Sequence, residues 1–215
     1  MKVLLTILAV TLILQAIYKE RRNMKFATTI WSRFSWLMLF EVLAIIFQTV
    51  IIYSLLVWIS PVFKYGWMHL FLDNGGNMFV APITEIASSG MGLTRVFPFL
   101  FLTLFLVAIP FLARNEENIF RKSAYEWPEI ATKSVVFGLI HCLVGVPLAA
   151  GIALIGTGFF YGYKYRRAFL INLKTYGNNV IAEKEALLVS TTYHTLYNSI
   201  LIVVLMILIG VITLN

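Results

Sequence analysis

The chain is poor in charge and almost free of cysteine. Of its 215 residues 13% are charged and 60% are hydrophobic, and the mean hydropathy is +0.86. A soluble domain of this size could not bury so much apolar surface, so the composition indicates an integral membrane protein with one domain, residues 1–215. The single cysteine, Cys142, excludes an intrachain disulfide framework and a Cys-x-x-Cys site. The chain has no internal sequence repeat and no low-complexity tract.

Acidic residues are scarce beside basic ones. There are 10 Asp and Glu against 17 Lys and Arg, which gives a net charge of +7. An excess of this kind can form a basic face for nucleic acid, but in a membrane protein it more often marks cytoplasmic loops. We therefore expect the lipid bilayer as the surrounding phase and no nucleic-acid partner.

Long apolar runs dominate what is present. They predict an all-α fold, a polytopic transmembrane helical bundle of about six to eight membrane segments. The mixed stretch 61–94 is expected to hold an interfacial or re-entrant piece. The six apolar runs are residues 3–18, 34–59, 96–113, 134–150, 149–163 and 186–213.

The basic residues fall on one side of this topology. If the N-terminus is outside, the inside loops are 19–33, 114–133 and 164–185, and they hold fourteen of the seventeen Lys and Arg residues. This asymmetry fits the positive-inside rule. The alternation requires 134–150 and 149–163 to form a hairpin, and Pro147 beside two glycines supplies a break there.

Two pairs of polar or aromatic residues lie four positions apart within apolar runs. Phe137 and His141 share one helix face, as do His194 and Asn198. Polar side chains are costly in a bilayer, so each is a candidate functional residue, although His and Asn also serve as hydrogen-bonding contacts between helices. Counted from the cytoplasmic side, the two histidines lie about 12 and 14 Å along their helices, at nearly the same depth.

The stretch "RNEENIFRK", residues 114–122, follows the third apolar run. Its simplest interpretation is a solvated helix end, in which Glu117 and Arg121 form an i, i+4 pair worth a few tenths of a kcal/mol. Glu116 then lies about 100° around the helix and is free to act as a base. It can meet the two histidines only if the helix tilts or continues inside a cavity in the bundle.

These residues form three ordered motifs: Glu-Glu-x-x-x-Arg at Glu116, Glu117 and Arg121; Phe-x-x-x-His at Phe137 and His141; and His-x-x-x-Asn at His194 and Asn198. The set resembles the CAAX protease and bacteriocin-processing (CPBP, or Abi) intramembrane endopeptidases, relatives of the type-two CAAX prenyl endopeptidase. The resemblance covers about residues 95–205, as a protease core, and residues 1–94 are additional N-terminal membrane segments.

The resemblance implies hydrolysis of a peptide bond in a membrane-embedded or membrane-anchored substrate, at a cavity that faces the cytoplasm. It makes Glu116 the general base and lets His141 hold the water. His194 and Asn198 would stabilise the oxyanion. Glu117, Arg121 and Phe137 would support the site.

A metal is the main mechanistic alternative. Glu116, His141 and His194 form a two-histidine, one-carboxylate set of the kind that binds zinc. They lack the local His-Glu-x-x-His spacing, and the resemblance favours a glutamate-activated water with no cofactor. Two other functions stay open: a non-catalytic scaffold or immunity-type protein of the same fold, and a small proton-coupled transporter. The complete motif set argues against the first, and the lack of an evident inverted repeat argues against the second.

Two more polar residues lie in the second apolar run. Glu41 and Gln48 are seven positions apart, so they share a helix face. We expect them to hydrogen-bond to another helix. Glycines 158 and 162 are expected at a close helix contact.

Overall fold

A computed structural model describes residues 2–20, 24–70 and 96–214, and every regular element in these ranges is helical. The predicted all-α class is thus confirmed for the described ranges. The predicted interfacial piece lies mostly at 71–94, outside them. The α-helices are α1 (Lys2–Glu20), α2 (Met24–Ser32), α3 (Trp36–Ile59), α4 (Phe97–Phe120), α5 (Trp127–Ile140), α6 (Leu148–Tyr176) and α7 (Asn179–Leu214). Short 3₁₀ helices cover Pro61–Lys64, Trp67–Leu70 and His141–Val144.

Three of the described helices are long and apolar enough to cross a membrane. They are α3, α4 and the Asn179–Val211 part of α7, in which an 18-residue window has a mean hydropathy of 2.4, 2.0 and 2.1, respectively. On α3 large apolar side chains face outward, among them Trp58 at 82% exposure. The structure therefore supports a helical chain with three possible spans in its described part, and the bundle of six to eight segments stays a prediction.

The predicted break near Pro147 is present. Helix α5 ends at Ile140, a 3₁₀ turn follows, and Gly145 takes the left-handed conformation at φ 91°. Pro147 stands at the N-cap of α6 and accepts the Gly151 N–H at 3.0 Å. Proline suits this position because it has no N–H to leave unpaired.

The stretch 164–185 is not the loop that we expected. Helix α6 continues to Tyr176, and α7 begins three residues later at Asn179. Gly177 ends α6 with a left-handed φ of 62°, and the Asn178 side chain accepts from the N–H groups of Val180 and Ile181 at 2.9 and 3.1 Å. A glycine C-cap and an asparagine N-cap make a turn of two residues sufficient.

Helices α5 and α6 pack closely through the glycines that the sequence singles out. A Cβ added at Gly158 would lie 2.8 Å from the Phe137 ring, and one added at Gly162 would lie 2.5 Å from Ile130. Only hydrogen fits at these two positions, so the helices approach more closely than larger residues would allow. This contact places Phe137, near the C-terminal end of α5, against the centre of α6.

Helix α4 runs seven residues past the end of its predicted apolar segment. Both glutamates are therefore inside the helix, and the Arg121 N–H donates to the Glu117 carbonyl at 2.8 Å. The turn that follows is fastened to α7, since the Tyr125 hydroxyl donates to the Glu183 carboxylate at 2.6 Å. Burial, and then this carboxylate, raise the pKa of Tyr125 above its ordinary value.

Candidate functional site

The second glutamate and the arginine of α4 form a buried ion pair. Arg121 Nε lies 3.5 Å from Glu117 Oε2, and both side chains are fully buried. The pairing follows from the i, i+4 spacing, but the solvated helix end suggested by the sequence is wrong. Burial makes this pair far more consequential than a surface pair, because either charge left alone would be strongly destabilising.

A histidine from α7 forms a hydrogen bond with the glutamate of this buried ion pair. His194 Nδ1 lies 2.9 Å from Glu117 Oε1, and the imidazole is buried. The carboxylate beside Arg121 can only accept, so Nδ1 carries the proton and donates it. The partners are 77 positions apart in the chain, and nothing local in the sequence predicts their contact.

The other histidine is oriented by its own helix. His141 Nδ1 lies 2.6 Å from the carbonyl oxygen of Phe137, four residues earlier. A carbonyl accepts, so Nδ1 again carries the proton and Nε2 is left with a free lone pair. The motif spacing thus does more than place two side chains on one face, since it also selects the tautomer of His141.

The first glutamate lies between the two imidazoles. Glu116 Oε2 is 3.8 Å from His141 Nε2 and 3.8 Å from His194 Nε2. This oxygen is buried and has no hydrogen-bond partner in the described part of the chain, while the side chain as a whole is 36% exposed. The predicted convergence of the three motifs is therefore present in the structure, and α4 reaches the histidines by continuing into the bundle.

Phe137 packs against the charged and ring groups of the cluster. Its ring meets the His141 and His194 imidazoles edge-on, with centroids 4.8 and 5.7 Å away. The Arg121 guanidinium carbon lies 5.0 Å from the ring centroid. Contacts of this kind hold aromatic and cationic groups in fixed orientations, so Phe137 supports the geometry of the cluster.

A cavity of about 310 Å³ adjoins the cluster. His194 and Asn198, one helical turn apart, both line it, as the sequence predicts for residues on one face. Helix α3, which lies outside the region of resemblance, supplies part of the wall, and its Thr49 hydroxyl lies 3.0 Å from that of Thr157. The lining includes Thr49, Phe137, His141, Thr157, Tyr161, His194, Tyr197 and Asn198.

Tyr161 is a member of the cluster that the sequence reasoning missed. Its ring stacks on the His194 imidazole, with centroids 4.8 Å apart and planes 22° apart. The residue is 1% exposed, and its hydroxyl has no hydrogen-bond partner among the residues described. Tyr161 lies in the glycine-rich stretch of α6, where only its place four residues after Thr157 could have indicated the shared face.

A second polar cluster lies where α3 meets α6 and α7. Glu41 accepts from Lys164 Nζ at 2.5 Å and from the Tyr193 hydroxyl. Lys164 is largely buried, and its ammonium lies 4.7 Å from the centre of the Tyr193 ring. The prediction that Glu41 bonds to another helix is confirmed. Gln48 lies against α6, where a Cβ on Gly156 would come within 2.5 Å of its amide nitrogen.

The fit of a metal can be judged from the same atoms. The imidazoles present Nε2 lone pairs and bind acceptors through Nδ1, which is the donor chemistry that zinc takes. Within residues 2–20, 24–70 and 96–214, however, no group of three His, Cys, Asp or Glu side chains is arranged to hold a metal ion. Zinc on Glu116, His141 and His194 therefore stays an alternative for experiment.

No family model matches the chain, and no curated protein or solved structure matches it. The fold and the site define a helical protein with possible membrane spans and a buried carboxylate–histidine cluster beside a cavity.

Proposed function

We propose that the chain is an intramembrane endopeptidase of the CPBP type, which hydrolyses a peptide bond of a membrane-embedded or membrane-anchored substrate. The observation that carries the proposal is the position of Glu116. Its Oε2 atom lies 3.8 Å from the Nε2 atoms of both His141 and His194. A carboxylate beside two imidazoles, next to a cavity, is the arrangement that a glutamate-activated water requires.

The hydrogen bonds of the histidines support this chemistry. Because His141 Nδ1 donates to the Phe137 carbonyl, the neutral imidazole presents Nε2 as an acceptor beside Glu116 Oε2. A water molecule about 2.8 Å from Glu116 Oε2 and His141 Nε2 could donate one of its two protons to each of these atoms. Glu116 takes its proton, and His141, which is 21% exposed, holds the water from the cavity side.

The remaining steps fall to groups on α7. As the water oxygen attacks, the carbonyl oxygen of the substrate becomes negative and needs hydrogen-bond donors. The Asn198 amide can donate from the cavity wall, one turn after His194. His194 already uses Nδ1 on Glu117, so it can join Asn198 as an oxyanion donor only through a protonated Nε2. Glu117 and Arg121 keep His194 in place through its Nδ1 atom, and Glu116 returns its proton to the leaving amine.

The membrane setting belongs to the proposal. Three possible spans and the one-sided basic residues support a multi-pass protein with its N-terminus outside and its site open to the cytoplasm. Reporters fused near residues 25, 125 and 175 should all be cytoplasmic, and a fusion near residue 80 external. An external reporter at 125 would put Glu116 on the wrong side of the membrane.

The test of the proposed activity compares membrane proteomes of cells that make the wild-type chain with those that make Glu116→Gln. New termini in membrane proteins should appear with the wild type alone. Glu129→Gln is the matched control, because Glu129 forms a surface pair with Lys133 at 3.2 Å, away from the cluster. Equal sets of termini in wild type and Glu116→Gln would contradict the proposal and leave a scaffold or a transporter.

A further inference from the structure

Tyr161 stands apart from the other buried tyrosines of α6 and α7. The Tyr165 hydroxyl accepts the Ser123 N–H at 3.2 Å, and those of Tyr193 and Tyr197 donate to Glu41 and Thr49. The Tyr161 hydroxyl is buried without a partner in the described part of the chain. An unpaired buried hydroxyl destabilises the folded state, so a bonding partner from outside the chain would relieve that cost.

The position of the Tyr161 side chain indicates what the partner of its hydroxyl is. The Tyr161 ring stacks on His194, and the residue lines the cavity together with Asn198. The unpaired donor therefore belongs to a buried side chain that contacts His194, and His194 Nε2 lies 3.8 Å from the Glu116 carboxylate.

We propose that Tyr161 is a further catalytic residue, whose O–H donates a hydrogen bond to the substrate carbonyl oxygen as that oxygen becomes negative. This inference rests on the proposed endopeptidase function. The water oxygen forms a bond to the carbonyl carbon, the π electrons move to the oxygen, and a water proton passes to Glu116. The electron pair on that oxygen then re-forms the C=O bond as the C–N bond breaks, and the leaving amine takes the proton from Glu116. Tyr161 keeps its own proton throughout and acts beside Asn198.

The chain offers a matched pair of variants one turn apart on α6. Tyr161→Phe and Tyr165→Phe each remove one hydroxyl from a buried ring. The assay uses purified full-length chain in phosphatidylcholine vesicles with a fluorogenic peptide that has an apolar core of leucine and valine, because Ile46, Val50 and Leu154 line the cavity. Thermal unfolding of the same samples in detergent is measured in parallel.

The two variants should respond in opposite ways. For Tyr161→Phe we expect kcat to fall about 100-fold with KM little changed, as when an oxyanion donor is removed. Its unfolding midpoint should hold or rise by about 2–4 °C, because an unpaired hydroxyl has gone. Tyr165→Phe should keep wild-type kcat and unfold at a lower temperature, because it loses the bond to Ser123.

Any other result contradicts either the role of Tyr161 or the endopeptidase function. Wild-type kcat in Tyr161→Phe, with Glu116→Gln inactive, overturns the role of Tyr161 alone. A loss of kcat accompanied by a lower midpoint makes Tyr161 a packing residue and overturns it as well. If the wild-type chain cleaves no more peptide than Glu116→Gln, the endopeptidase function fails and the inference fails with it.

Discussion

Two polar clusters between the helices of this protein are built from similar parts and differ in what they leave unpaired. In the first, Glu117 on α4 pairs with Arg121 and accepts from His194. In the second, Glu41 on α3 pairs with Lys164 and accepts from Tyr193. The two α7 residues are neighbours in the chain and point about 100° apart, so one turn of α7 serves both clusters.

The two clusters differ in how many of their polar atoms have a hydrogen-bond partner. Both oxygens of Glu41 have donors, and its lysine is enclosed by aromatic rings. In the first cluster, by contrast, several buried atoms have no hydrogen-bond partner in the described structure: Glu116 Oε2, Glu117 Oε2, Arg121 Nε and Nη2, and the Tyr161 hydroxyl. A satisfied charge cluster fixes helices to each other, whereas unpaired groups beside one can bind and act on something else.

The largest effect is expected at Glu116. Glu116→Gln removes the base and keeps its shape, so turnover of the vesicle peptide should fall by about 10²–10⁴. The midpoint of unfolding should not fall, because among the described residues the Glu116 carboxylate pairs with histidines and with no Lys or Arg. Retained turnover would show that Glu116, like Glu41, takes no part in catalysis.

Glu117→Gln should have the next largest effect, and its main effect should be a lower free energy of unfolding. It leaves Arg121 fully buried and without its counter-charge, which costs about 3–5 kcal/mol of unfolding free energy. Turnover should fall too, since His194 loses its charged acceptor. Denaturant unfolding in detergent measures the first effect, and a variant as stable as wild type would contradict the assignment of a buried pair.

Asn198→Ala separates the metal-free mechanism from zinc. With Asn198 as an oxyanion donor, kcat should fall about 10²–10³ with little change in substrate affinity, and chelators should not inhibit. With zinc on Glu116, His141 and His194, Asn198→Ala should lower kcat only slightly, because an amide adds little to such a site. Chelator-sensitive turnover restored by zinc, with metal found by elemental analysis, would overturn the metal-free mechanism.

The smallest effect is expected in the second cluster. Glu41→Gln should cost about 1 kcal/mol of unfolding free energy, because the Glu41 side chain is 30% exposed and water can replace part of the lost interaction. Turnover should stay at the wild-type level. Loss of turnover equal to that of Glu116→Gln would remove the distinction between the two clusters.

Much of the candidate site could be predicted from spacing alone. The i, i+4 rule placed Glu117 with Arg121, Phe137 with His141 and His194 with Asn198, and the structure keeps each pair together. The rule is reliable here because all six residues lie in or at the ends of helices, where sequence separation fixes the relative direction of side chains.

The errors arose where an apolar run was taken to end with its helix. Polar residues after Ala113 and Tyr163 suggested loops, but α4 and α6 continue as helices to Phe120 and Tyr176. Hydrophobicity reports the surroundings of a side chain, whereas a helix ends where its backbone is capped. That cap is left-handed Gly177 for α6.

The sequence by itself determined that this is an apolar, helical chain whose polar residues are few and grouped in motifs, because composition and local spacing act within one element. Only the tertiary structure decided that Glu116 lies between two imidazoles, that Glu117 meets His194 across 77 positions, and that Tyr161 stacks on that histidine. Those contacts depend on the distance and register between helices. Close packing, such as that of Gly158 against Phe137, sets both, and a pattern within one helix does not encode them.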